Sequence, residues 1–218
     1  AYFSRTPASA SNQKTWTWSG WVKRGAITAA SSNFFFFAGS ASASSDTTYF
    51  GLYFNTSDAF AVTAYSQVWR LTTQVFRDPS AWYHIVIAVD TTQATASDRV
   101  KMYVNGSQIT SYSSVSYPPQ NTNLPINNTV LHSMGYYTPS SAGYFDGYMT
   151  DVYFIDGQAL DPYYFGANDS NNIWKPITYY GTYGTNGFHL TFGNTASTTT
   201  LGYDTSGNNN NWTSNNIS

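Results

Sequence analysis

Four aspartates, Asp146, Asp151, Asp156 and Asp161, recur at an even interval of five in the stretch GYFDGYMTDVYFIDGQALDP, which runs from Gly143 to Pro162. Carboxylates gathered on one surface could supply the acid and base of glycoside hydrolysis, or the oxygen ligands of a calcium ion. Every acidic residue of the chain is Asp, and Glu is absent. The interval itself argues against a cluster, because positions five apart on a strand face opposite ways. Each aspartate also has a local role. Asp146-Gly147 and Asp156-Gly157 are turn dipeptides, and Asp161-Pro162 opens a short helix, with Asp accepting from free amides and Pro suiting the first position. Asp151 lies inside the strand-like MTDVYFI, where Val152 and Phe154 point to a core and Asp151 and Tyr153 point away from it.

Other reactive side chains are sparse. Cysteine is absent, which removes disulfides and thiol chemistry. His84, His132 and His189 sit in strand-like sequence without metal-ligand spacing, so each is expected to be a hydrogen-bonded or surface histidine. No GxSxG elbow, P-loop or dinucleotide fingerprint occurs. A protein that is not an enzyme is therefore expected, with a glycoside hydrolase as a minor alternative.

The elements that must position these residues follow from composition and pattern. The chain has 218 residues, 9% charged and 18% aromatic, with 19 Tyr and a net charge of −2. That mixture suits strands and turns and suits helices poorly. It offers no basic footprint for nucleic acid. No apolar run approaches a membrane span, and AYFSRTPASA lacks the order of a signal peptide. TWTWSGWVK (Thr15 to Lys23) alternates, with Trp16, Trp18 and Val22 on one face. The aromatic run SNFFFFAG predicts a strand covered on both sides. YFGLYF and AFAVTAY, separated by NTSD, predict a hairpin. WYHIVIAVD is a strand, and RVKMYVNGSQIT carries an Asn105-Gly106 hairpin signal. The prolines of SYSSVSYPPQNTNLPINN exclude a central strand. About ten short strands without a helix beyond one turn predict an all-β, two-sheet antiparallel sandwich or jelly roll. Residues 1–195 are expected to form the domain, and the Asn-rich 196–218 a tail or linker.

Three segments carry a family resemblance. TWTWSGWVK, then WYHIVIAVD followed by VKMYVNGSQI, then GYFDGYMTDVYFIDGQALDPYYF resemble, in that order, the concanavalin A-like, laminin G-like and pentraxin-like jelly rolls. The resemblance spans about Lys14 to Phe165 and implies a concanavalin A-like two-sheet sandwich. This superfold hosts lectins, glycosidases and adhesion modules, so it fixes fold more tightly than function. Pentraxin-like relatives bind calcium through acids from two loops. The matching loops here offer Asp46 and, in the second, no acid before Asp146, which leaves a single calcium on Asp46, Asp146 and carbonyls as the metal expectation. Segments from Asn171 onward resemble laminin G-like structural proteins of bacteriophages. That implies a virion or extracellular location and a homo-oligomeric virion or appendage assembly.

The resulting expectation is a non-catalytic module that contacts a surface glycan or polysaccharide. Sugar rings stack on aromatic faces while amides, hydroxyls and Asp take their hydroxyl groups. The candidate contacts lie in three loops: Asn55 and Asp58; Tyr65 and Trp69; and Tyr136, Tyr137 and Tyr144. The rival expectation uses the same Tyr-rich, charge-poor surface for packing, as an architectural subunit that decorates or builds a capsid, fibre or filament.

Overall fold

The computed structural model describes residues 1–27, 29–40, 45, 48–64, 67–139 and 143–217. In chain order the strands are β1 (Tyr2–Arg5), β2 (Thr15–Arg24), β3 (Asn33–Gly39), β4 (Tyr49–Phe54), β5 (Ala59–Ala64), β6 (Gln67–Val75), β7 (Tyr83–Asp90) and β8 (Val100–Val104). There follow β9 (Ser107–Gln108), β10 (Tyr112–Val115), β11 (His132–Met134), β12 (Gly147–Asp156), β13 (Gly166–Asn168), β14 (Trp174–Pro176), β15 (Phe188–Leu190) and β16 (Thr213–Asn215). One antiparallel sheet has the order β10-β6-β5-β4-β3-β11-β1-β16, a second has the order β15-β12-β2-β7-β8-β9, and β13 pairs with β14 in a two-stranded ribbon. The expected two-sheet sandwich is the observed fold. No helix among the described residues is long and apolar enough to cross a membrane.

Alternation accounts for the core. On β2, Trp16, Trp18 and Val22 are buried between the sheets, opposite Phe35 and Phe36 of β3. Gly20 shares that face because a Cβ there would lie 2.7 Å from the Trp18 ring. The four phenylalanines divide across a bulge in β3. Phe35 and Phe36 enter the core, while Phe34 and Phe37 pack with Tyr49 on the outer face of the eight-stranded sheet. Buried aromatic surface of this extent is the dominant stabilising term of the fold.

The turns follow their local chemistry. Asn55 accepts from the backbone N–H of Ser57 and Ala59, both at 2.9 Å, and closes the β4–β5 hairpin. Asn105 and Gly106 take positive φ of 48° and 81° between β8 and β9, the two-residue turn their sequence predicts. The proline-bearing stretch forms the edge strand β10, paired only with β6, and its Leu124 and Ile126 reach the core.

Two expectations change. Residues 196–218 do not leave the domain: Trp212 is buried in the core and β16 pairs with β1. Asn-rich composition hid this because the anchoring rests on one indole and a three-residue strand. Gly147 is not a turn glycine but the first residue of β12, where a Cβ would meet the Lys23 carbonyl and the Phe145 ring.

Candidate functional site

The aspartates at the five-residue interval separate, as that spacing requires. Asp161 caps the 3₁₀ turn Pro162–Tyr164, accepting from Tyr163 N–H at 2.9 Å. Asp151 sits at a β12 bulge with φ of 47°, 3.3 Å from His189. Asp156 does more than shape its own turn. Its buried carboxylate accepts from Asn12 N–H at 3.2 Å, Asn127 Nδ2 at 2.9 Å and Asn186 N–H at 2.9 Å, tying three distant segments together.

The predicted contact residues also disperse. Trp69 is fully buried in the core, because β6 turns its ring inward beside Phe50. Asp58 is fully buried as well, paired with Arg24 at 2.9 Å and Arg77 at 2.8 Å. Both are therefore structural rather than ligand-facing. The Asn55 amide oxygen is committed to its turn. Tyr65 and Asp46 lie outside the described residues. Tyr136 and Tyr144 come together in one ring stack, while Tyr137 joins a second stack with Phe34 on the outer face of the eight-stranded sheet. Tyr136 lies between Tyr2 and Tyr144, with centroids at 4.7 and 4.6 Å. Phe34 lies between Tyr53 and Tyr137, both at 4.5 Å. In each stack the middle ring has both faces covered, so the half-exposed Tyr144 presents the most open ring.

A different place gathers carboxylates. Asp90 ends β7, Asp98 lies in the 3₁₀ turn Ala96–Asp98, and Asp161 follows β12; together they line a cleft of about 390 Å³ on the outer face of the six-stranded sheet. Ala88 is part of its lining, with Tyr103, Tyr164, Leu160, Gln93 and Lys101. Period two explains the outward residues: Ala88 and Asp90 alternate with core Ile87 and Val89, and Lys101 and Tyr103 alternate with core Val100, Met102 and Val104. Sequence reasoning misses this convergence because the meeting of Asp161 with Asp90 and Asp98 is tertiary. The available signal is the outward alternation of β7 and β8.

Each cleft carboxylate already has partners. Asp90 accepts from Thr92 Oγ1 at 2.6 Å, Gln93 Nε2 at 2.6 Å and Thr15 Oγ1 at 3.3 Å. Partial burial pushes its pKa up, but these hydrogen bonds outweigh burial and hold it below the usual carboxylate value. Asp98 pairs with Lys101 at 3.3 Å. Burial raises the Tyr103 phenol, Lys101 opposes the shift, and Asp161 adds to it.

Next to this cleft, the strap formed by β13 and β14 covers the same sheet. The His84 ring is stacked between Trp21 and Trp174, at 5.0 and 5.9 Å. Trp174 Nε1–H donates to His84 Nδ1 at 2.9 Å, and His84 Nε2 lies 2.9 Å from Ser19 Oγ. Indole is a donor only, so Nδ1 must be the acceptor and Nε2 carries the proton. His84 therefore donates to Ser19 and has no lone pair with which to activate it as a nucleophile. Burial lowers the His84 pKa to about 4, with Asp151 opposing the shift, so the ring is neutral at pH 7.

Of the two residues expected to hold calcium, Asp146 is described and Asp46 is not. Among the described residues no group of three His, Cys, Asp or Glu side chains is placed to hold a metal ion. The Asp146 backbone oxygen accepts from Gly25 N–H, just past the end of β2, at 2.8 Å.

Comparison with known proteins gives three results. No curated protein matches the chain. Among solved structures, a Bacteroides ovatus protein described as a "putative carbohydrate binding protein" aligns with all of this chain and 56% of its own, at 13% identity and a TM-score of 0.61. A heptameric SAP-like pentraxin from Limulus polyphemus aligns over 73% of this chain and 71% of its own, at 14% identity and a TM-score of 0.47. A Trypanosoma rangeli sialidase aligns over 68% of this chain at 14% identity and a TM-score of 0.48. The chain spans only 21% of that sialidase. The family model of the concanavalin A-like lectin/glucanases superfamily matches residues 2–162, nearly three quarters of the 218 residues, and covers β1 to β12, leaving β15 and β16 outside the match. The chain belongs to the concanavalin A-like lectin/glucanases superfamily.

Proposed function

We propose that this domain is a non-catalytic carbohydrate-binding module, with the cleft on the six-stranded sheet as its principal site. One observation carries the proposal: an open recess of about 390 Å³ combines Tyr103 and Tyr164 with Asp98, Asp161, Gln93 and Lys101. Sugars are held by that combination of apolar ring faces and convergent polar groups. The carbohydrate-binding description of the Bacteroides ovatus protein, which shares the fold, accords with it. A glycan ligand also accords with placement on an extracellular or virion surface, which belongs to the same proposal.

Catalysis is the reading this geometry supports less well. Hydrolysis of a glycosidic bond needs a carboxylic acid held protonated by a raised pKa beside a second carboxylate. Asp90 is shifted the other way, Asp98 pairs with Lys101, and Asp161 caps a turn. The test is a glycan array, with calcium and again with EDTA, followed by titration of the hits. Tyr164→Ala and Tyr103→Ala should weaken binding by about tenfold or more, on the scale of stacking losses, and Tyr144→Ala should not. No binding by the folded protein in either condition would remove the proposal. Release of sugar from a polysaccharide panel, abolished by Asp161→Asn, would replace it with hydrolysis.

A second reading is architectural. An apolar cavity of about 310 Å³ opens at the end of the sandwich between Phe3, Met134, Phe145, Met149, Phe192 and Leu201, beside the exposed Tyr148. Exposed aromatic surface next to an apolar recess suits subunit packing in a capsid, fibre or filament. A stable monomer in light scattering at high concentration would exclude self-assembly through this face.

A further inference from the structure

The cleft fixes the sign of the charge its ligand can carry. Acidic sugars are recognised through their carboxylates, and the side chain suited to that task is arginine, whose planar fork takes both oxygens. The chain has five arginines, and the fold engages all of them. Arg24 binds Asp58 at 2.9 Å and the Phe76 carbonyl at 2.5 Å. Arg70 donates to the carbonyls of Trp69, Ser116 and Val100 at 2.7, 2.7 and 3.1 Å. Arg99 donates to those of Gln93, Ala94 and Pro118 at 2.8, 2.9 and 2.9 Å. These three side chains are buried. Arg5 is held by Asn186 and Asn210, and Arg77 by Asp58 at 2.8 Å. None of the five lines the cleft. Among the described residues its single cation, Lys101, is paired with Asp98, while Asp90 and Asp161 add two further negative charges.

We infer that this module selects neutral or amine-bearing saccharides and rejects glycans bearing carboxylate or sulfate groups. The inference rests on the carbohydrate-binding reading above and adds a charge class to it. In water-like surroundings, a ligand anion about 6 Å from two uncompensated carboxylates is disfavoured about tenfold relative to its neutral counterpart. Replacing one hydroxyl by an ammonium reverses the sign. Because the cleft is open to solvent, added salt must shrink both effects.

The test uses the whole chain on an array of matched pairs: lactose against sialyllactose, galactan against galacturonan, and N-acetylglucosamine oligomers against glucosamine oligomers. Hits are expected among neutral and amine members, with each acidic partner about tenfold weaker or more at low ionic strength and the gap closing as salt rises. Asp161→Asn, which keeps the cap to Tyr163, should narrow the gap. Equal or tighter binding of sialyllactose or galacturonan would overturn the inference while leaving carbohydrate binding intact. Silence of the folded protein across every pair and across a broad glycan panel would overturn carbohydrate binding itself.

Discussion

Acid should loosen this fold well above the usual Asp value of 3.8, through two buried histidines. His84 lies between two indoles, and His132 donates from Nδ1 to the Val130 carbonyl at 2.8 Å. Burial lowers each from 6.5 to about 4; for His132 the Val130 hydrogen bond opposes the shift and Arg5 adds to it. The folded state thus favours the neutral ring more than the unfolded chain does. Its stabilisation is complete above the unfolded value of 6.5 and is lost as pH falls towards about 4. At pH 5 each ring costs about 2 kcal/mol, so the pair costs about 4 kcal/mol against a total stability of about 5–15 kcal/mol. For a domain of this size that lowers Tm by about 10 °C. The lowered carboxylates Asp78, Asp90 and Asp169 lose their stabilisation only below the usual Asp value of 3.8, beneath the range in which these two histidines act. Thermal melts followed by circular dichroism at pH 7.5, 6 and 5 would measure the slope. A Tm constant over that range, or an acid slope kept by a folded His84→Gln/His132→Gln double variant, would refute the reasoning.

Three further outcomes are expected. Asp58→Ala leaves Arg24 buried without its carboxylate and should cost about 3–5 kcal/mol in urea unfolding, whereas Arg77→Ala, whose side chain is 54% exposed, should cost less than about 1 kcal/mol. Gly106→Ala adds a Cβ where φ is 81° and the Trp174 ring is 2.6 Å away, so it should lower stability by about 1–3 kcal/mol, seen as a lower urea midpoint. Truncation after residue 195 removes Trp212 and β16, and it should yield a protein with exposed core that binds a hydrophobic dye, where a true tail would leave the melt unchanged.

Much of the scaffold was legible because its signals are local. Asn105-Gly106 specified its hairpin, Asp161-Pro162 its turn, and the alternation of β2, β7 and β8 their buried faces. Trp69 misled because its polar neighbours Ser66 and Gln67 suggest a loop, while the ring in fact faces the core from a strand that also buries Arg70. Asp58 misled for a similar reason: NTSD describes a surface turn, and only the arrival of Arg24 from β2 makes a buried ion pair there. Tyr136 and Tyr144 share one stack with Tyr2 while Tyr137 packs on Phe34, a division that local sequence does not carry because it needs the sheet to exist first. The cleft was invisible for the same cause, since its carboxylates come from segments about seventy residues apart.

At one border of the eight-stranded sheet, β1 hydrogen-bonds β11 on one side and β16 on the other. Asn215 Nδ2 reaches Ser4 Oγ across 211 positions of sequence. During synthesis β1 therefore waits until β11 is made, and the sheet stays open at that border until β16 is made. Such late pairing makes folding slow and leaves aromatic strands available to neighbouring nascent chains. Yield of native protein should accordingly depend on how long the chain waits between the synthesis of β11 and that of β16.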